Sequence, residues 1–529
     1  MKDILAASLR SSLAVILSLL LLMQIAGCGG EEGNTPSAGV QQDADAEEEV
    51  QTEAGTADAE KKIPATDSAS AATAMATGRK TEAGNISWAA GDSPNGVLRT
   101  ISEYASDACG YSVGLISTVP FSHATPACFV AHNTSRDNYY TGFEGYTGMG
   151  ISEEIVQITK PQLIIGSGHP RWNNREWNTA EGHISRSLYT SLAEGGTAYV
   201  FAERVSGVSG IASIQDSLED LDPDTHRFFG LFGGQGSNFE PPVPSDDGSA
   251  SVVPATEENP LLAEATVAAL DFLTRDDEGF FLLVEQGDID WANHNNNYEW
   301  LIGTMWDLEE TVLAILDYVG EDPGMNWDNT LLIVTSDHSN SYMRLNPASP
   351  LGRGELPEME GEDPDHFYAG SQVSFGCMEH TNELVSVSVK GPEQVMHHIE
   401  SLAGTRPAPG CGLLDNTHLH DIMMSALNAN EPVRNLILVI GDGMNLEHER
   451  AASIYLYGAD NSLSWHDDEV FPFRGYCTTW DINTYDLYAA EAEKPCYSPA
   501  EYDPALGYDP SRGGRIPLCG DPLYFLLPL

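Results

Sequence analysis

Three apolar runs break off into side chains that can bind a cation. "GFFLLVEQGDID" (279–290) ends in Glu285 and Asp290, with His294 four residues further on. "NTLLIVTSDHSN" (329–340) carries the adjacent pair Asp337 and His338, and "NLILVIGDGM" (435–444) carries Asp442 between two glycines. "MEHTNE" adds His380. If a helix starts at Asp290, that residue and His294 share one face and can reach one ion. Taken singly, the Glu285, Asp290 and His294 triplet reads equally well as a polar loop after a strand, and a buried Asp and His at a turn are usually structural. Jointly they offer carboxylates and imidazoles in the numbers zinc requires.

A hydroxyl that such a centre could use stands in "TDSASAATAMATGRKT" (66–81). The Ala-rich run after Asp67 is a good helix former, which puts Ser68 at a helix N-terminus, where backbone N–H groups and the dipole favour a phosphate. On its own, a serine there is usually an N-cap.

Ligands delivered from several segments need a frame. The three runs are apolar on both faces, as buried parallel strands are, and end where ligands bind in open α/β sheets. A helical pattern, "NNYEWLIGTMWDLEETVLAILDYVG", precedes the second run. The expected fold is α/β: a doubly wound, mostly parallel central sheet flanked by helices, with loop-rich insertions.

The stretch around Ser68 resembles the nucleophile motif of the alkaline phosphatase family, and the resemblance extends over most of residues 63–480. "HATPACFVAHNTSR" (123–136) resembles the family segment in which a Thr or Ser binds magnesium and a later Arg grips phosphate; "VEQGDIDWANH", "VTSDHSN", "EHTNELVSVSVKGP" and "NLILVIGDGM" resemble its ligand-bearing segments. The resemblance implies two Zn2+ and one Mg2+ per chain. Asp290, His294 and His380 would hold one zinc, and Asp337, His338 and Asp442 the second, beside Ser68. Asp442, Thr125 and Glu285 would hold magnesium, and Arg136 would clamp two phosphate oxygens. His123 stands where some members carry Asp, and Trp291 where some carry Lys or His; both would border the substrate. The implied activity is hydrolysis of phosphate monoesters through a phosphoserine intermediate. The alternatives are a phosphodiesterase or other hydrolase of the superfamily, or a catalytically weak phosphate-binding surface protein.

The order of the motifs departs from the family, in which the Asp-bearing strand comes first and the serine helix follows. Here Asp442 comes last of the ligands, and "FPFRGYCTTWDINTYD" (471–486) follows it. The sequence reads as a circular permutation, with 63–430 forming the main part of the domain and 431–529 supplying its usually N-terminal strand. Insertions near 137–260 and 341–376 are expected to form the rim of the site and to contribute to a possible homodimer. "SLEDLDPDTHRFFG" (217–230) reads as a solvated turn in preference to a calcium loop.

The chain has 529 residues, 41% of them hydrophobic, enough for a large core. Residues 1–28 have the layout of a secretory signal, and "IAGC" ending at Cys28 resembles a lipoprotein cleavage site. Residues 29–62 read as a disordered acidic tether, so an exported lipoprotein, periplasmic or at the cell surface and anchored through Cys28, is expected. The net charge of -54 argues against nucleic acid as a partner, because the chain lacks the basic clusters that neutralise phosphates. Beyond Cys28 seven cysteines remain, of which Cys477, Cys496 and Cys519 could supply a bridge.

Overall fold

The computed structural model describes residues 65–498 except 141, 143–147, 173–176, 178–181, 235, 359–371, 404–411, 430 and 432, together with Tyr502 and the strand pairs 515–516 and 525–526. The chain divides into units 1–48 and 49–529, and every described residue lies in the second. The signal segment and tether, Cys28 and Cys519 fall outside the described residues. Among those described, no helix is long and apolar enough to cross a membrane.

Ten strands form one sheet: β1 (Ser112–Pro120), β2 (Leu163–Ser167), β3 (Tyr199–Glu203), β4 (Arg227–Leu231), β5 (Phe280–Gln286), β6 (Thr330–Thr335), β7 (Val385–Lys390), β8 (Leu413–Asp415), β9 (Asn435–Gly441) and β10 (Phe473–Thr478). Their spatial order is β8-β10-β7-β6-β9-β5-β1-β2-β4-β3. Strand β7 runs antiparallel to both its neighbours, and every other pairing is parallel. The fold is therefore the expected doubly wound, mostly parallel α/β sheet.

The unbroken apolar runs make sense because alternate residues enter two different cores. Phe281, Leu283, Leu331, Ile333, Leu436 and Leu438 point to one face, and Phe280, Leu282, Val284, Leu332, Val334, Ile437 and Val439 to the other. Each such side chain contributes about 1.5–3 kcal/mol of transfer free energy, so no strand position can be polar cheaply until the run ends. Helices α1 (Ser68–Thr77) and α2 (Ala124–Val130) cover the first face; α3 (Leu262–Leu273), α4 (Asp288–His294) and α5 (Tyr298–Glu321) lie towards the second. Helix α6 (Thr417–Leu427) joins the first face, and α7 (Leu446–Tyr457) the second. Every residue of α1 is buried, and its Ala, Ser and Thr side chains let α2 and α6 approach it closely.

Strand β9, late in the sequence, is central: Asn435 pairs with Phe280 of β5 on one side and Thr330 of β6 on the other. The register puts Thr335, Ile440, Glu285 and Ser117 in one row across β6, β9, β5 and β1. The residues that follow this row therefore meet at one edge of the sheet.

Two expectations need correction. The region 137–260 is more than a rim, because it supplies β2, β3 and β4 of the sheet itself. Cys477 and Cys496 form no bridge: both are free, and Cys477 is buried in β10. In 217–230, Asp222 closes a turn by accepting from the Asp224 N–H at 3.0 Å, between a helix ending at Leu218 and β4.

Candidate metal centre and nucleophile

Strand β5 ends at Gln286, and α4 begins at Asp288, two residues before the expected helix start. Asp290 and His294 lie one turn apart with Oδ2 and Nε2 3.1 Å from each other. His380 joins them through a short ladder in which it pairs with Asn340, immediately beyond the Asp337–His338 pair. Its Nε2 lies 3.2 Å from His294 Nε2 and 3.7 Å from Asp290 Oδ1.

The backbone decides which ring nitrogens face inward. His294 Nδ1 donates to the Met378 carbonyl at 2.6 Å, and His380 Nδ1 donates to the Thr66 carbonyl at 2.8 Å. A carbonyl only accepts, so a neutral ring must carry its proton on Nδ1 and present a lone pair on Nε2. Two such lone pairs 3.2 Å apart beside a carboxylate repel one another, and a cation between them removes the repulsion.

A second group adjoins the first. His338 Nε2 lies 3.3 Å from Asp337 Oδ2 and 3.5 Å from Asp442 Oδ1, and ligand atoms of Asp290, His338 and Asp442 fall within 4.8 Å of one another. Asp290 thus belongs to both groups. Asp337 Oδ1 accepts from the N–H groups of His338 at 2.8 Å and Gly443 at 3.1 Å, which leaves Oδ2 for the centre. Gly443 has φ +68°, and a Cβ there would stand 2.4 Å from Asp290 Oδ1, so the glycine after Asp442 is demanded by both conformation and space.

Ser68 opens α1 with its hydroxyl 3.1 Å from His338 Nε2. The helix is capped by Asp67, whose Oδ1 accepts from Ser70 N at 3.0 Å, while its Oδ2 accepts from Arg136 Nη1 at 3.2 Å. Arg136 Nη2 lies 3.4 Å from His123 Nε2, and the Trp291 ring packs 6.2 Å from the His123 ring. Thr125, in the first turn of α2, neighbours Glu285, whose Oε2 accepts from the Ser117 hydroxyl. All the sequence-derived site residues therefore meet at the carboxyl ends of β1, β5, β6 and β9 or at the start of α1.

The electrostatics show what the cluster lacks. Burial first, then the charges of Asp337 and Asp288, push the Glu285 carboxyl up to about 8, although the Ser117 hydroxyl opposes the rise. Burial, with the charges of Asp337, Asp290 and Glu285, likewise raises Asp442 well above the carboxylate range. Burial acts on Asp290 in the same sense, but His294 and His380, when protonated in the absence of a cation, overcome it and hold that group well below its ordinary value. No lysine or arginine among the described residues ion-pairs with Glu285, Asp290, Asp337 or Asp442, and Glu285 Oε1, Asp337 Oδ2, Asp442 Oδ1 and Thr125 Oγ1 find no hydrogen-bond partner there. Three buried acids with an orphaned oxygen each, beside a fourth, Asp290, whose charged neighbours are imidazoles alone, fit bound cations.

The sequence profile described as alkaline phosphatase matches residues 38–353. The chain belongs to the alkaline phosphatase family. It is 30% identical over 274 residues to alkaline phosphatase 3 of Bacillus subtilis (strain 168), covering 52% of this chain and 49% of that protein. It is 29% identical over 384 residues to the alkaline phosphatase of Escherichia fergusonii, covering 68% and 74%. The chain spans about half the length of the Bacillus alkaline phosphatases it matches. The crystal structure of a cold-active alkaline phosphatase from a psychrophilic Shewanella sp. matches with a TM-score of 0.46 at 23% identity, over 69% of this chain and 86% of that one. The range matched by the alkaline phosphatase profile holds Ser68, His123, Thr125, Arg136, Glu285, Asp290, Trp291, His294, Asp337 and His338; His380 and Asp442 lie beyond it and reach the site through folding.

Sequence reasoning missed the groups that hold the ligands. Asn340 Nδ2 donates to Asp290 Oδ1 at 2.6 Å, and Asn445 Nδ2 donates to the Asn340 carbonyl at 2.9 Å. Asn340 closes the quoted "VTSDHSN" run, so its position was visible although its role was not. The Thr66 and Met378 carbonyls leave no trace in residue type.

Proposed function

We propose that this chain hydrolyses phosphate monoesters to an alcohol and inorganic phosphate, with Ser68 as the attacking group. The observation that carries the reading is the Ser68 hydroxyl, 3.1 Å from His338 Nε2 at the N-terminus of a fully buried helix, beside four buried acids. Asp290, His294 and His380 would hold one Zn2+; Asp337, His338 and Asp442 the second; Asp442, Thr125 and Glu285 the Mg2+. Bound there, the ions supply positive charge that favours an ionised serine and offsets the charge developing on the phosphoryl and leaving-group oxygens.

The protein's own groups bring the ester to Ser68. The first turn of α1 directs its dipole and N–H groups at the phosphoryl group. Arg136, whose Nη1 donates to Asp67 Oδ2, has the planar fork of donors that suits two phosphate oxygens and that a lysine could not present. Ser68 Oγ forms a bond to phosphorus as the ester P–O bond breaks, and the departing oxygen takes up a proton to become the alcohol. Water then attacks the phosphoserine, which restores the Ser68 hydroxyl and frees phosphate.

Ser68→Ala should abolish turnover of p-nitrophenyl phosphate while zinc content and phosphate binding persist. Near-normal turnover in that variant would remove the serine from the mechanism. EDTA should silence the wild type, and zinc with magnesium should restore it.

The permuted chain order belongs to the same proposal. It is supported by the Ile482 N–H donating to the Thr81 carbonyl at 3.0 Å and Lys80 Nζ donating to the Trp480 carbonyl at 2.7 Å, so that the segment after β10 lies against the segment after α1. Export, lipidation at Cys28, periplasmic or cell-surface placement and a homodimer complete it. Mass spectrometry of the mature N-terminus checks the lipidation.

A further inference from the structure

The two sides of the candidate phosphate pocket differ. On the Arg136 side four rings stand in series: Trp291 packs 6.2 Å from His123, His123 6.2 Å from His183 in an edge-to-face arrangement, and His183 4.6 Å from Tyr139. The two imidazoles in the middle are buried, whereas Trp291 and Tyr139 at the ends are half-exposed. Trp291 follows Asp290 directly and lies on the helix that carries His294, one imidazole away from the Arg136 guanidinium. In-line attack by Ser68 sends the alcohol away from the serine, and the partly exposed indole lies one imidazole from the guanidinium that would hold the phosphate. A polar rim would serve a flexible polyol, whereas an indole flanked by His123 presents a flat apolar surface at low entropic cost.

Building on the monoesterase reading, we propose that Trp291 is a specificity-determining residue that stacks on the leaving group and selects esters of flat, π-faced alcohols, aryl and nucleoside monophosphates, over esters of small aliphatic alcohols. His123 flanks the indole with its ring plane tilted by 57°, and Tyr139 stands at the far end of the same row. Stacking of a ring on an aromatic side chain is worth enough to change affinity by roughly tenfold or more when the side chain is truncated.

The test uses the full metal-loaded protein. The kcat/KM ratio for phenyl phosphate over glycerol 2-phosphate should fall about tenfold in Trp291→Ala and recover in Trp291→Phe, which keeps a stacking face. Calorimetry with phenylphosphonate and methylphosphonate reads the same contact without turnover: the wild type should bind the phenyl compound more tightly, and Trp291→Ala should lose that preference. Equal losses for both esters, or an unchanged preference between the phosphonates, would overturn the stacking proposal while leaving the monoesterase reading intact. Turnover of neither ester by the wild type would instead defeat the monoesterase reading.

Discussion

Gly443→Ala tests the link between a backbone detail and the centre. Gly443 has φ +68°, where an alanine is strained by about 1–2 kcal/mol. Its new Cβ would also stand 2.4 Å from Asp290 Oδ1 and 2.8 Å from Asp290 Cα, so α4 or the turn after β9 must shift; overpacking of this kind costs about 1–3 kcal/mol. Together these give about 2–5 kcal/mol. Because each kcal/mol moves the midpoint of a chain this large by less than about 2 °C, the melting temperature should fall by a few degrees. The more specific consequence is on the metals, because the shift displaces the one carboxylate common to both ligand groups. Thermal melting with and without EDTA, together with metal analysis of the purified variant, measures both effects. A variant that melts like the wild type and retains its full zinc content would refute the reasoning.

Asn340→Ala removes the 2.6 Å hydrogen bond that orients Asp290 and should weaken zinc binding by about 10–100-fold in chelator competition; unaltered affinity would make Asn340 a bystander. His132 lies 2.9 Å from Glu154 and 3.5 Å from Glu103; burial alone would lower its pKa, but these two acids raise it to about 9. Relative to His132→Gln, it should therefore stabilise the fold fully below about pH 6.5 and lose about 3 kcal/mol as pH rises through 9, as read by denaturant titrations. A pH-independent difference would contradict this. With a net charge of -54 and Asp224 facing Asp276, Asp222, Asp277 and Glu278, self-repulsion should yield to screening, so the melting temperature should climb between about 0.1 and 1 M KCl as the Debye length falls from about 10 to 3 Å. A flat salt dependence would show that the acidic surface carries no such cost.

The central sheet was legible because β5, β6 and β9 are buried on both faces, which forces continuous apolar runs and confines polar residues to the strand ends. Ligand-bearing residues stand out where such runs stop. By contrast, β2, β3 and β4 are five residues each and lie among Gly-, Asn- and Asp-rich loops, and β3 is a half-exposed edge strand, so 137–260 reads as insertion. Cysteine spacing gave no guidance to pairing, since Cys477 faces the core and Cys496 faces solvent. The groups that orient the ligands are tertiary: Ser117 reaches Glu285 from a strand 168 residues earlier, and the His380 tautomer depends on a carbonyl 314 residues away. No local pattern encodes such contacts. The glycine after Asp442 was visible, but its reason, the close approach of Asp290, required the fold.

The most direct test of the account is to ask where phosphate becomes covalently attached. The metal-loaded protein should be mixed with substrate, quenched in acid within its turnover time and digested, and the peptides mapped by mass spectrometry. The account predicts one phosphorylated site, Ser68, absent from the Ser68→Ala protein and from protein treated with EDTA. Active turnover with no phosphopeptide, or with phosphate on another residue, would contradict it.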